Sequence, residues 1–390
     1  MKSLKSSYRQ TIMKSLYSLL IVALINGSIY SSLKAQNTPE NDNKKHIKIA
    51  LLLDTSNSMD GLIEQAKSQL WQLVNELAQA ECDGIAPSLN IALYEYGNSN
   101  LPASEGYIRQ VTPLTDDLDQ ISEDLFSLRT NGGNEFCGQV IQTAIAEQEW
   151  SRSNDDLQII FIAGNEPFTQ GKVNYKSACL DAKERNIIIN TIHCGDFDKG
   201  ISGMWKDGAD RANGQYMCIE QNRKTVYIAS PYDEQITKLN SELNNTYISY
   251  GDLGRAKKET QMKQDSNAAS YSQANSVKRA VSKSSHFYKN ASWDLVDASE
   301  KEDFKLENIK DQQLPEEMQG KTLIEKEKYI AQKAKERAQI KHEINALNKK
   351  RIHFVNEKKK ESGNDDMLDK AMIKAIKAQA ASKSFEFKSK

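Results

Sequence analysis

Several residue types are scarce in this chain, and each scarcity excludes something. Five cysteines and five histidines are spread over 390 residues. No C-x-x-C or Cys/His cluster has zinc spacing, which argues against a zinc site. With 7 prolines and 19 glycines, the chain is neither collagen-like nor mucin-like. No stretch beyond residue 35 is apolar enough to cross a bilayer, which excludes a polytopic membrane protein. There is no P-loop and no G-x-G-x-x-G, so nucleotide binding has no support. No G-x-S-x-G elbow follows a strand, so a serine hydrolase has no nucleophile. Net charge is also nearly absent, with 52 basic against 53 acidic side chains. That balance hides an asymmetry. Residues 36–250 carry 17 basic and 31 acidic side chains, whereas residues 251–390 carry 30 and 22. An acidic globular part is followed by a basic, Lys-rich extension.

What is present begins with a targeting layout. Lys2, Lys5, Arg9 and Lys14 precede an apolar run from Leu16 to Ile25, and small and polar residues lead to Ala35-Gln36. This reads as a secretory signal spanning residues 1–35, cleaved after Ala35. The alternative is an uncleaved segment that anchors the chain in a membrane. No Cys stands at the cut, which disfavours a lipoprotein. Either way the rest is expected outside the cytoplasm, in the periplasm or cell envelope. There, disulfides become an option for Cys82, Cys137, Cys179, Cys194 and Cys218.

Residues 36–45 are polar and read as a linker. From 46 to 250 strands and helices alternate. His46–Leu53 is apolar on both faces, as a central parallel strand should be. Residues 60–81 place Leu62, Ile63, Ala66, Leu70, Leu73, Val74 and Leu77 at helical spacing. Further strands are expected at 89–96, 107–111, 157–163, 187–193 and 215–219, and further helices at 118–128, 136–150, 175–185, 203–212 and 232–247. This order predicts an α/β, doubly wound, mainly parallel sheet with helices on both faces. Residues 251–290, rich in Ser, Ala, Lys, Gln and Asn, are expected to be a flexible linker. Residues 291–320 hold Trp293, Leu295, Val296, Phe304, Leu306, Leu314 and Met318, a candidate docking segment. Residues 321–390 read as a helical, basic C-terminal region. Thr322-x-x-Glu325 is a capping-box signature. The stripe Leu323, Ile330, Ala334, Ile340, Ile344, Leu347, Ile352 and Val355 suits a helical hairpin or a coiled coil.

The sharpest signal is Asp54-Thr55-Ser56-Asn57-Ser58-Met59-Asp60-Gly61. It follows the first buried strand and precedes a helix, a junction that lies on the ligand-binding edge of a parallel sheet. Asp54, Ser56 and Ser58 alternate, so one carboxylate and two hydroxyls can face one point. Hard oxygens suit a divalent cation, Mg²⁺ foremost, with Mn²⁺ or Ca²⁺ as alternatives. Without a metal the same hydroxyls would serve only as helix caps.

On these residues the chain resembles the von Willebrand factor type A (VWA) family, whose first metal motif reads D-x-S-x-S-M-x-G. The resemblance covers roughly residues 46–248. It implies a Rossmann-like fold with a metal-ion-dependent adhesion site held by three loops. The second loop should supply a Thr after Gly-Gly. Here Thr130-Asn131-Gly132-Gly133-Asn134 stands instead, so Thr130 or Asn134 takes that role. The third should supply an Asp, but the fourth strand ends in Ala163-Gly164-Asn165-Glu166, leaving Asn165 and Glu166 as candidates. The family pattern gives the ion little direct negative charge, so the ion seeks an acidic side chain from a partner. A direct Glu166 ligand would reduce that appetite. Cys137, Cys179 and Cys194 all fall near this edge, and either one pair, Cys137–Cys179 or Cys179–Cys194, clamps the loops as a disulfide, or the three stay unpaired and pack as small apolar groups.

The expected function is therefore an exported, metal-assisted protein-binding (adhesion or scaffold) protein, not an enzyme. The alternative is a structural or assembly factor that acts through its C-terminal helices, with an inert metal site. A phospho-aspartyl mechanism needs a second Asp two residues after Asp54, where Ser56 stands. His193 and Cys194 are adjacent in a strand and point to opposite faces, so His193 reads as a packed histidine. Lys349-Lys350-Arg351 and Lys358-Lys359-Lys360 are the densest basic clusters. Contact with envelope proteins, self-association, or folding back on the acidic domain are the expected uses of the extension. Nucleic acid is not an expected partner.

Overall fold

The apolar run His46–Asp54 (β1) is the middle of a six-stranded sheet, hydrogen-bonded on both sides to other strands. In this computed structural model, residues 44–219, 228–362 and 367–387 are described. The expected signal segment, nearly all of the expected 36–45 linker and the extreme C-terminal residues lie outside them. The remaining strands are Ser88–Tyr96 (β2), Ile108–Thr115 (β3), Leu157–Gly164 (β4), Ile188–Cys194 (β5) and Tyr216–Ile219 (β6). They lie in the order β3-β2-β1-β4-β5-β6. Only the edge strand β3 runs antiparallel to its neighbour. In register, Ala50 of β1 sits between Ala92 and Ile160.

The two faces of β1 enter different cores, as strand alternation demands. Ile47, Ile49 and Leu53 meet Asp60–Leu77 (α1), Leu118–Ser127 (α2) and Asp233–Asn244 (α7). Ala50 and Leu52 meet Cys137–Glu147 (α3), Tyr175–Glu184 (α4) and Trp205–Arg211 (α6). A short helix, Phe197–Ser202 (α5), bridges β5 and α6.

The segment expected to be a flexible linker is instead two helices, Gly254–Tyr271 (α8) and Gln273–Ser284 (α9). Its polarity misled because the polar groups are used internally. Arg279, fully buried, pairs with Asp119 at 2.6 Å and Asp265 at 2.9 Å. Its guanidinium lies 4.6 Å from the Trp71 ring centre, a cation–π contact. Lys283, also fully buried, reaches Asp265 at 2.8 Å. Small residues, Ala268, Val277 and Ala280, complete the packing.

Residues 291–320 fold as short turns whose Leu295, Val296, Leu306, Leu314 and Met318 gather with Ile248 and Ile330 in a satellite core. Next comes the helix Leu323–Ser362 (α10). Its start is a reciprocal capping box: Glu325 N–H donates to Thr322 Oγ1 at 3.4 Å and Thr322 N–H donates to Glu325 Oε2 at 2.9 Å. The stripe that suggested a coiled coil turns inward on the same chain. Ile344 is fully buried, and Ile340 and Leu347 pack on the main core. Arg337 ties the helix down, reaching Asp294 and Asp297 at 2.7 Å each over the face of Tyr247. The basic extension thus folds back on the acidic domain. Met367–Ala381 (α11) follows, and Glu386–Phe387 pairs antiparallel with Ala80–Glu81.

Candidate metal site at the sheet edge

Asp54 ends β1 and is completely buried. The chain turns sharply after it because Ser56 N–H donates to Asp54 Oδ1 at 2.7 Å. A single 3₁₀ turn, Asn57–Met59, leads into α1, and buried Met59 anchors it in the core. Ser56 Oγ and Ser58 Oγ lie 3.3 Å apart. Thr55 faces the other way, donating to Glu95 Oε2 at 3.0 Å, and Arg109 pairs with Glu95 at 2.5 Å. The three oxygen-bearing residues read from the first loop therefore converge.

The second loop is pinned by Asn131 N–H donating to Thr55 O at 2.9 Å. Gly133 is required there: a Cβ would lie 2.3 Å from Gly97 O. Neither residue expected from this loop joins the cluster. The Thr130 hydroxyl donates to Asp60, and Asn134 is exposed. Glu135 is the one turned inward. It is buried, and its carboxyl group lies against Asp54 and the Ser56 hydroxyl. Gln170 Oε1 accepts from its N–H at 2.6 Å, and its Oε2 accepts from Glu166 N–H at 3.3 Å.

In the third loop Asn165 comes in: its Nδ2 donates to Ser58 Oγ at 3.0 Å. Glu166 is exposed, and its carbonyl accepts from Trp205 Nε1 at 2.8 Å. Gly164 stands where the resemblance expects Asp, and the reason is steric. A Cβ there would lie 2.5 Å from the Tyr96 hydroxyl and 3.2 Å from Asp54 Oδ2. Tyr96, fully buried, donates to Ala163 O at 3.0 Å and so fills that space.

Burial raises the pKa of Asp54 well above the ordinary carboxylate range, and the Glu135 carboxyl adds to the rise. Burial likewise raises Glu135. Among the described residues no positive side chain lies against either, and Asp54 Oδ2 and Asn165 Oδ1 are buried without a hydrogen-bond partner. Buried, unpartnered oxygens are costly. Two carboxylates and two hydroxyls around one point fit a hard divalent cation. The residues that would hold it are Asp54, Ser56, Ser58 and Glu135, with Asn165 beside them. Among the described residues no group of three or more His, Cys, Asp or Glu could hold a metal.

The expected disulfide clamp is absent. Cys194 packs in the core on one face of the sheet and Cys179 in the core on the other. Cys137 shares the layer of Cys179, but its sulfur lies 3.8 Å from the Tyr96 hydroxyl. His193 is packed on Trp205, 5.7 Å between ring centres, and its Nε2 contacts Asn165 O at 3.2 Å.

A doubly wound sheet with three loops converging at the carboxyl end of its central strands defines a domain class that places a ligand site at the sheet edge. The model of the von Willebrand factor type A domain matches residues 48–242, and the chain belongs to that family. Among solved structures, the SpRpn10 VWA domain is similar over 46% of this chain and 90% of its own, at 16% identity and a TM-score of 0.35. BatB from Bacteroides thetaiotaomicron is similar over 44% of this chain and 90% of its own, at 17% identity and a TM-score of 0.34. Proximal thread matrix protein 1 from the mussel byssus, with a zinc-occupied MIDAS motif, covers 46% of this chain and 43% of its own, at 12% identity and a TM-score of 0.33. No curated protein matches the chain.

Proposed function

We propose that this is an exported, non-enzymatic binding protein that captures another protein at the sheet edge, assisted by a divalent cation, Mg²⁺ foremost. The observation that supports this most is the convergence of Asp54, Ser56 and Ser58, with the second carboxylate oxygen, Asp54 Oδ2, buried beside Gly164 without a hydrogen-bond partner. Family membership supports a protein ligand. Exposed apolar side chains border the same edge. Phe197, Ile201 and Met204 are 53%, 38% and 40% exposed, and the adjoining Gly203 carbonyl accepts from Phe168 N–H in the third loop at 2.9 Å. Such a rim supplies the desolvated contact that a cation alone does not. Export is supported by the basic-then-apolar start of the chain. The test is capture of partners by the mature protein with Mg²⁺ or with chelator, repeated with Asp54→Ala. Loss of the captured protein in chelator and in the variant is the expected result. Capture indifferent to both would defeat the reading and favour the assembly-factor alternative. One observation favours that alternative: Leu323 and Ile324, at the start of α10, are 42% and 76% exposed.

A further inference from the structure

The site has moved one of its carboxylates. At the third-loop position where Asp is expected, Gly164 leaves no room for any side chain, because the Tyr96 hydroxyl occupies it. On the second loop, where a hydroxyl is expected, buried Glu135 turns in against Asp54 and Ser56. The two facts are linked through space. A Cβ on Gly97 would lie 2.8 Å from both Asp54 Oδ1 and Glu135 Cγ, so glycine at 97 opens the gap through which Glu135 reaches Asp54. Glu135 is held from behind by Gln170 and by Glu166 N–H. The pair is more than an acidic cluster, because Asp54 Oδ2 is fully buried, has no partner and faces the space beside Gly164.

We infer that Glu135 is a direct ligand of the cation and, together with Asp54, balances its two positive charges from within the chain. This rests on the cation-site reading above. The consequence concerns partner chemistry. A +2 ion flanked by one carboxylate attracts a carboxylate from outside, whereas beside an ion already flanked by two, repulsion from those two carboxylates offsets most of its attraction for a third. The open position then takes a neutral oxygen, either water or an amide or hydroxyl oxygen of a partner. An acidic partner side chain, implied by the family pattern, is not what this site selects.

The experiment is Mn²⁺ binding, followed by calorimetry and by the electron paramagnetic resonance of free Mn²⁺, on wild type, Glu135→Gln and Asp54→Asn. Each is titrated without and with acetate as a carboxylate probe. Circular dichroism checks that the near-isosteric variants are folded. Wild type should bind one Mn²⁺ with no gain from acetate. Glu135→Gln should bind at least about tenfold more weakly and recover part of that loss with acetate. Asp54→Asn should lose binding. If Glu135→Gln binds like wild type while Asp54→Asn does not, the Glu135 assignment is overturned and the cation site stands. If acetate strengthens wild-type binding, the neutral-ligand conclusion is overturned. If wild type binds no Mn²⁺, both the cation site and this inference fall.

Discussion

Gly164 and Tyr96 show how a single contact decides what a loop can carry. Adding one methyl group at 164 forces either the strand end or the tyrosine to shift, because the nearest atom is 2.5 Å away. Gly164→Ala should therefore cost roughly 1–3 kcal/mol, the usual range for overpacking. Removing the obstructing hydroxyl with Tyr96→Phe should recover part of it. Urea unfolding of the two single variants and the double variant measures that coupling, and strict additivity would contradict the steric account. The first loop was legible in the sequence because Asp54, Ser56 and Ser58 are neighbours in the chain, set by a strand before and a helix after. The second loop was not. An irregular segment has no period to say which of Asn134 and Glu135 points inward. Only the packing of Gly133 against Gly97 O and of Gly97 against Glu135 settles that. Tyr96 was visible only as a strand residue, since nothing in its neighbourhood along the chain announces a role at the end of β4.

At the scale of elements, the alternation of strand and helix patterns located every strand of the sheet and the helices between them, except the short helix Phe197–Ser202 (α5). The failure at α8 and α9 has a definite cause. These helices bury small residues and paired charges rather than leucines, so a composition rule reads them as solvated. Arg279 is the centre of that arrangement. Arg279→Ala leaves Asp119 buried without its cationic partner and should destabilise by roughly 3–5 kcal/mol, read as a drop in the urea midpoint. Asp265 gives the pH dependence. Burial alone would raise its pKa, but the Lys283 ammonium and Arg279 guanidinium outweigh that and hold it well below the ordinary carboxylate range. A carboxylate depressed in the folded state adds stability above its unfolded pKa of about 4, and that stability is lost as the pH falls below it. Asp265→Asn should accordingly be less stable at pH 7 yet lose less stability between pH 5 and pH 2 than wild type. An unchanged acid profile would contradict the role assigned to the Lys283–Asp265–Arg279 network.

For the whole molecule, the acidic half and the basic half meet within one chain. Arg351 pairs with Asp233 at 2.7 Å and Lys377 with Glu76 at 3.1 Å. Farther on, Lys383 Nζ donates to Asn154 O and Asn186 Oδ1, both at 2.7 Å, and Lys45 Nζ donates to Lys383 O at 2.7 Å. Lys45, Asn154 and Asn186 lie one, three and two residues before β1, β4 and β5, so this closure lies at the amino-terminal edge of the sheet, opposite the candidate metal site. Removing residues 367–390 should lower the melting temperature, because Ile376, Ala380 and Phe385 are buried. Mn²⁺ affinity at the far edge should be unchanged below the new transition, and a parallel loss of affinity would show that the two edges are coupled.

That closure also imposes an order on synthesis. Lys45 leaves the ribosome more than three hundred residues before Lys383 does, so a nascent chain can assemble its strands while one rim of the sheet still waits for its cover. The interval is long at ordinary elongation rates. Under the export proposed above, it is a window in which the polypeptide can be threaded before that rim closes.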